Sequence, residues 1–154
     1  MASVPSSQVP SVPSSSQMFI KRLTKDTKLP TRQPGSVGYD LYSNISCSIP
    51  SKHQASIPTG ISGTPPEGTY FQLFGRSGLA MNHGIGLLGG VIDPTYTGEF
   101  IILLVNNGLK TYDIKQGDKI AQMVVLKYDT PGIQEVYELV PTNRGDNGFG
   151  SSGK

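Results

Sequence analysis

The chain has 154 residues, of which 36% are hydrophobic and 16% charged, with a formal net charge of +2. That suits one domain with a real core, and the charge is too small to argue for direct nucleic-acid binding. One cysteine, Cys47, excludes an intrachain disulfide, His53 and His83 cannot complete a four-ligand zinc site with it, and no apolar run approaches the ~20 residues of a membrane span.

Residues 1–17, MASVPSSQVPSVPSSSQ, are almost entirely Ser, Pro, Val and Gln. They lack the charged start and apolar stretch of a signal peptide, and they cannot bury enough apolar surface to offset the entropy of ordering. A disordered tail is expected, on a protein of a reducing intracellular compartment, cytoplasmic or nuclear. Met18–Leu23 reads as the first strand. Lys21, Arg22, Lys25, Lys28 and Arg32 cluster after it with only Asp26 opposing; a solvated strand edge explains them more simply than an anion-binding patch.

From there the chain is a run of short β-type segments punctuated by turns, with 19 glycines and 12 prolines overall. Ala55-Ser56-Ile57 precedes Pro58, and Thr69 to Phe74 follows. Ser77–His83 has the makings of one short helix. Glu99 to Val105 is nearly continuously apolar, which predicts a strand buried on both faces, and Ile120 to Leu126 is similar. Pro-Pro-Glu-Gly, Asn-Asn-Gly and Gln-Gly-Asp supply turns. This spacing predicts a sandwich or barrel-like all-β fold over residues 18–140. Residues 141–154, PTNRGDNGFGSSGK, have four glycines and no strand pattern. They read as a flexible arm, yet one arginine and one aromatic among glycines and serines could wrap a phosphate.

Four internal stretches carry possible chemistry. In Gly75-Arg76-Ser77-Gly78 the arginine can fork onto phosphate oxygens and the serine adds a hydroxyl; an ordinary turn is equally consistent. In Gly89-Gly90-Val91-Ile92-Asp93-Pro94-Thr95-Tyr96-Thr97-Gly98-Glu99 a short apolar strand ends in a carboxylate at a proline turn. A hairpin whose Asp93 satisfies local amides explains the aspartate but explains Tyr96 less well. Gln122, after Gly117-Asp118-Lys119-Ile120-Ala121, is a polar residue in an apolar run, so it faces solvent or a ligand. Asp40, in Gly35-Ser36-Val37-Gly38-Tyr39-Asp40-Leu41, is a second carboxylate that could meet a cation or serve only the sheet.

Taken in order, PGSVGYDLYS (34–43), GRSGLA (75–80), GGVIDPTYTGEF (89–100), GDKIAQMVV (117–125) and RGDNGFGSSG (144–153) resemble the five motifs of the trimeric dUTPases, over residues 18–154. Each is weak alone; five in order are very specific. The resemblance implies a distorted jelly-roll-like β barrel of the β-clip kind. It implies a homotrimer with three active sites, each built from all three subunits, and a C-terminal arm exchanged between subunits as a lid. The implied reaction is hydrolysis of dUTP to dUMP and pyrophosphate, limiting uracil in DNA and supplying dUMP for dTMP synthesis.

By the same resemblance, Asp93 activates water for in-line attack on the α-phosphorus. Mg²⁺ binds the triphosphate oxygens, with Asp40 reaching it through water. Arg76, Ser77, Gly78 and Gln122 hold phosphates. Tyr96 packs on the deoxyribose and leaves no room for a 2′-hydroxyl. The backbone around Leu87, Gly89, Val91, Ile92 and Ile101 bonds uracil. Phe149 stacks on the base, while Arg144, Gly150, Ser151 and Ser152 clamp the outer phosphates. Val37 stands where a smaller residue is usual, Lys119 replaces a frequent arginine, Asp146-Asn147 varies the usual acidic-Gly pair, and Phe74-Gly75 looks more like some viral members.

Two rivals bear on function. dCTP deaminases share a D-P-x-aromatic-x-G stretch, but their catalytic glutamate falls, by that register, on Leu103, which cannot shuttle a proton. A non-catalytic trimer that kept the scaffold for partner binding would need none of Asp93, Tyr96, Arg144 and Phe149.

Overall fold

The computed structural model describes residues 17–148 and Gly150. Eleven strands and one helix are formed among them: β1 Phe19–Arg22, β2 Tyr39–Tyr42, β3 Cys47–Ile49, β4 Gln54–Pro58, β5 Ile61–Thr64, β6 Thr69–Phe74, α1 Ser77–His83, β7 Ile85–Leu88, β8 Val91–Ile92, β9 Ile101–Asn106, β10 Tyr112–Ile114 and β11 Lys119–Lys127. The fold is all-β, with the single short helix where the sequence suggests it. Its hydrogen bonding divides into four antiparallel ladders rather than one continuous closed one: β1-β5, β10-β3, β2-β11-β6-β8 and β4-β9-β7.

One core joins these ladders. Leu41, Ile49, Ile57, Phe71, Phe100, Ile102, Leu104, Ile114, Ile120 and Met123 are each at most 2% exposed. Each such side chain contributes on the order of 1.5–3 kcal/mol by leaving water. Phe71 and Phe100 meet edge-on, ring centroids 5.5 Å apart, joining β6 to the segment before β9. The fully buried Asn106 amide is satisfied on both sides: Nδ2 donates to the Ile49 and Lys110 carbonyls at 2.8 Å, and Oδ1 accepts the Gly108 N–H at 2.9 Å.

The apolar run at 99–105 departs from expectation. β9 alternates: Ile102 and Leu104 are buried while Ile101 and Leu103 are 39% and 40% exposed. Among the described residues only one face of this strand is covered. Period-2 geometry puts its alternate side chains on the opposite face. The segment from Tyr128 onward carries neither helix nor strand among its described residues, and its Ile133, Tyr137, Leu139 and Val140 are all more than 80% exposed.

Candidate active site

The centre of the β2-β11-β6 ladder builds one cleft. Asp40, Gln122 and Phe74 lie on one rung, Gln122 being paired with Asp40 on one side and Phe74 on the other. Gln122 Nε2 donates to the Gly75 carbonyl at 3.0 Å, so the side chain lies along the end of β6 rather than pointing out to water. Space for it comes from Gly38: a Cβ there would stand 2.5 Å from Gln122 Oε1. This explains the glycine two residues before Asp40.

Arg76 follows at the N-cap of α1, with no side chain capping the helix. The Asp40 carboxylate holds two cations, Lys119 Nζ at 2.7 Å through Oδ2 and Arg76 Nε at 3.5 Å through Oδ1. Arg76 also donates from Nη1 to the Lys119 carbonyl at 3.3 Å. The ladder shifts register between Lys119 and Ala121, a bulge that re-aims Lys119 relative to the strand it opens. The cleft of about 290 Å³ is lined by Asp40, Arg76, Ser77, Gly78, Asn82, His83 and Gln122, with Leu79 beside them. Its hydroxyl and amide side chains and its braced guanidinium suit phosphate oxygens. Sequence reasoning assigns no site role to Lys119, Asn82 or His83. The register that pairs β2 with β11 is the signal for Lys119; the other two come from the last turn of α1, a turn beyond Ser77. His83 packs its ring 4.8 Å from that of Tyr112. Burial pushes the Tyr112 phenol above its usual pKa; the Asp118 charge adds to this and Arg76 opposes it.

A second cleft, of about 210 Å³, is lined by Val91, Ile92, Asp93, Tyr96, Glu99, Phe100 and Ile101. Asp93 is exposed at the end of β8. Among the described residues its carboxylate accepts no hydrogen bond and makes no ion pair, so the turn's amides do not use it. The turn is closed instead by the backbone, Tyr96 N–H donating to the Asp93 carbonyl at 3.0 Å. Tyr96 is 45% exposed and its hydroxyl donates to the Glu99 carbonyl at 3.0 Å. Glu99 is a site residue that sequence reasoning passes over; it stands in the quoted motif without a role.

The two clefts share no lining residue. The hairpin expected about Asp93-Pro94 is not formed, because β8 and β9 belong to different ladders. β7 pairs with β9, and β8 pairs with β6, so the Gly89-Gly90 turn carries the chain from one ladder to another. Both glycines have positive φ, 66° and 116°, and a Cβ on Gly90 would stand 2.8 Å from the Leu73 carbonyl oxygen. β7 and β8 are each the end strand of their ladder, which leaves one row of backbone groups on each without a ladder partner. Val91, Ile92 and Ile101 reach the Asp93 cleft, Ile92 with its side chain buried; Leu87 and Gly89 line neither of these two clefts.

In the C-terminal segment, Arg144 Nε donates to the Asn147 carbonyl at 3.0 Å and Gly145 N–H to the Thr142 carbonyl at 3.1 Å, a local turn whose residues line neither cleft. Gly150 is exposed with φ 92°. Phe149, Ser151 and Ser152 lie outside the described residues.

Known proteins are similar to this chain in both sequence and fold. The dUTPase family profile matches residues 25–153. Deoxyuridine 5'-triphosphate nucleotidohydrolase of Arabidopsis thaliana is 44% identical over 135 residues, covering 87% of this chain and 81% of that protein. The protein of the same name from Vaccinia virus (strain Copenhagen) is 45% identical over 136 residues, 88% of this chain and 91% of that one. Among solved structures, the Staphylococcus bacteriophage 80alpha dUTPase with dUPNHPP superposes with a TM-score of 0.83 at 28% identity, over 90% of this chain and 99% of that chain. A mutant dUTPase from phage phi11 of S. aureus, solved with a structural Mg(II) ion, gives 0.75 at 25% identity over 80% and 98%. With the profile spanning all but the N-terminal segment and the last residue, this chain belongs to the dUTPase family.

Proposed function

We propose that this protein hydrolyses dUTP to dUMP and pyrophosphate, with Asp93 as the base. The observation that carries the reading is the state of that carboxylate: exposed, in a cleft, at a fixed turn, and engaged by no amide or cation among the described residues. A structural turn aspartate would be engaged. A general base must instead keep a lone pair for water.

In this reading Asp93 orients a water and takes its proton as the oxygen attacks the α-phosphorus. The bond from that phosphorus to the bridging oxygen breaks, and pyrophosphate leaves. Arg76, Ser77, Gly78 and Gln122 hold the phosphates in line, with Asp40 and Lys119 bracing the guanidinium. Tyr96 packs on the deoxyribose, and the free backbone edges at Val91, Ile92 and Ile101 bond uracil. Mg²⁺ neutralises charge on the triphosphate when bound. No group of three or more His, Cys, Asp or Glu among the described residues could cage a metal ion. One carboxylate on that cleft fits an ion that substrate oxygens and water would largely carry, with Asp40 as the residue that would reach it through water. Such an enzyme would work on the intracellular nucleotide pool, limiting uracil in DNA and supplying dUMP.

We further propose a homotrimer, a reading that the separation of the clefts supports. A base in one and phosphate donors in the other make one site only if they meet across subunits. The outward-facing Val91, Ile101 and Leu103 supply apolar surface for that contact, and the exposed Ile133, Tyr137, Leu139 and Val140 suit an arm that packs on a neighbour. In the same reading the arm over 141–154 closes as a lid, bringing Arg144 to the outer phosphates.

Asp93→Asn is the direct test. With Mg²⁺ and a panel of dUTP, dCTP, dTTP and UTP, wild-type protein should release pyrophosphate from dUTP alone and no ammonia from dCTP. The variant should lose about 10²–10⁴-fold in kcat while still binding dUTP. Retained turnover would remove Asp93 from the mechanism.

A further inference from the structure

Two carboxylates line the 210 Å³ cleft, and they differ in state. Glu99 Oε1 accepts the Gly60 N–H at 2.7 Å. Gly60, with φ 71°, is the left-handed residue of the turn between β4 and β5. Its neighbour Thr59 grips the next residue along: Thr59 N–H and Oγ1 both donate to the Phe100 carbonyl, at 3.2 and 2.7 Å. Phe100 is fully buried. The Glu99-Phe100 backbone is thus clamped to the Thr59-Gly60 turn by a side chain on one residue and a carbonyl on the next, and anchored in the core. From this fixed point the Glu99 carbonyl receives the Tyr96 hydroxyl at 3.0 Å. The Tyr96 ring lies against Gly98, where a Cβ would stand 2.5 Å from Cζ and 3.0 Å from Cε2.

From this geometry we propose that Glu99 and Gly98 are specificity-determining positioning residues, which hold the Tyr96 ring where it excludes a ribonucleotide's 2′-hydroxyl. Glu99 acts through the Gly60 amide, and Gly98 by leaving room for the ring. The inference rests on the reading of Tyr96 as the ring that packs on the sugar. Without the anchor, an exposed tyrosine on a surface turn has free rotamers and no means of excluding one oxygen atom. The clamp also separates the two acids of the cleft: Glu99 commits its charge to an amide, and Asp93 keeps its own.

The test is the ratio of kcat/KM for dUTP to that for UTP, measured on the full chain with Mg²⁺ for wild type, Tyr96→Ala, Glu99→Gln, Glu99→Val and Gly98→Ala. Glu99→Gln keeps an acceptor oxygen for the Gly60 amide and should hold the wild-type ratio. Glu99→Val and Gly98→Ala should lower the ratio about tenfold, chiefly by raising UTP turnover. A merely structural role would lower both substrates alike and leave the ratio unmoved. Should Glu99→Val fail to fold, Gly98→Ala decides alone. If Tyr96→Ala lowers the ratio and neither of these does, the positioning role is overturned and the sugar-reading ring stands. If Tyr96→Ala itself leaves the ratio unchanged, the ring reading falls and takes this inference with it.

Discussion

Gly38 and Gln122 illustrate how closely the cleft around Asp40 and Arg76 is fitted at the scale of single residues. Gln122 can occupy its place along β6 only because residue 38 has no Cβ, and its amide is then engaged by the Gly75 carbonyl. A larger residue at 38 must displace the glutamine, since the nearest contact would be 2.5 Å. Gly38→Val should therefore raise KM for dUTP about tenfold or more with the fold retained, measured by steady-state kinetics alongside a thermal melt; an unchanged KM would show that Gln122 does not hold substrate. The same closeness limits what a sequence can reveal. Gln122 stands out because it is polar in an apolar run. Lys119 does not, because a lysine at the start of a strand looks solvated until the register sets it 2.7 Å from Asp40. Glu99 is hidden for a related reason: its partner, Gly60, is an amide 39 residues away, and no side-chain type announces it.

At the scale of elements, local patterns are legible where local chemistry decides. β6 and α1 fall where the sequence predicts them, at Thr69–Phe74 and Ser77–His83. The helix ends where Gly84 takes the left-handed conformation, φ 69°, its N–H donating to the Ala80 carbonyl at 3.0 Å. A Cβ there would stand 2.7 Å from the Gly108 nitrogen. Gly84→Ala combines a left-handed alanine with that clash, and should cost about 1–3 kcal/mol by chemical denaturation; a loss below a few tenths would contradict the packing described. Pairing between elements is less legible. The 89–99 segment looks like a hairpin because a proline turn after Asp93 separates two apolar stretches. Its strands instead belong to different ladders, a long-range outcome that turn chemistry does not encode. β9 differs from its expected double burial for another reason. A strand buried on both faces and a strand with one apolar face left open within its chain share the same sequence pattern, because both are apolar throughout. Leu103→Lys puts a charge on the outer face, 40% exposed in one chain. It should leave the monomer folded and shift the assembly toward monomers in sedimentation analysis, since an unpaired charge is costly in a buried interface. A variant that sediments like wild type would place the contact elsewhere.

The whole molecule presents Asp93 in one cleft and Arg76, Ser77 and Gln122 in another, with no lining residue in common. The order of the five motifs in the sequence makes the family legible at once, but it says nothing about which motifs share a cleft. Spatial grouping adds this: the first, second and fourth converge on Asp40, Arg76 and Gln122, while the third stands apart with Asp93 and Tyr96. If each working site joins two such halves from different chains, two dead variants can repair each other. In the proposed roles Asp93→Asn lacks the base and Arg76→Ala lacks the phosphate clamp, and each alone should be nearly inactive. Co-expressed in equal amounts they should assemble mixed trimers in which about a quarter of the sites pair an intact Asp93 with an intact Arg76. The mixture should hydrolyse dUTP at about that fraction of the wild-type rate. Activity no greater than that of either variant alone would mean that each site is built within one chain, and would contradict a site shared between chains.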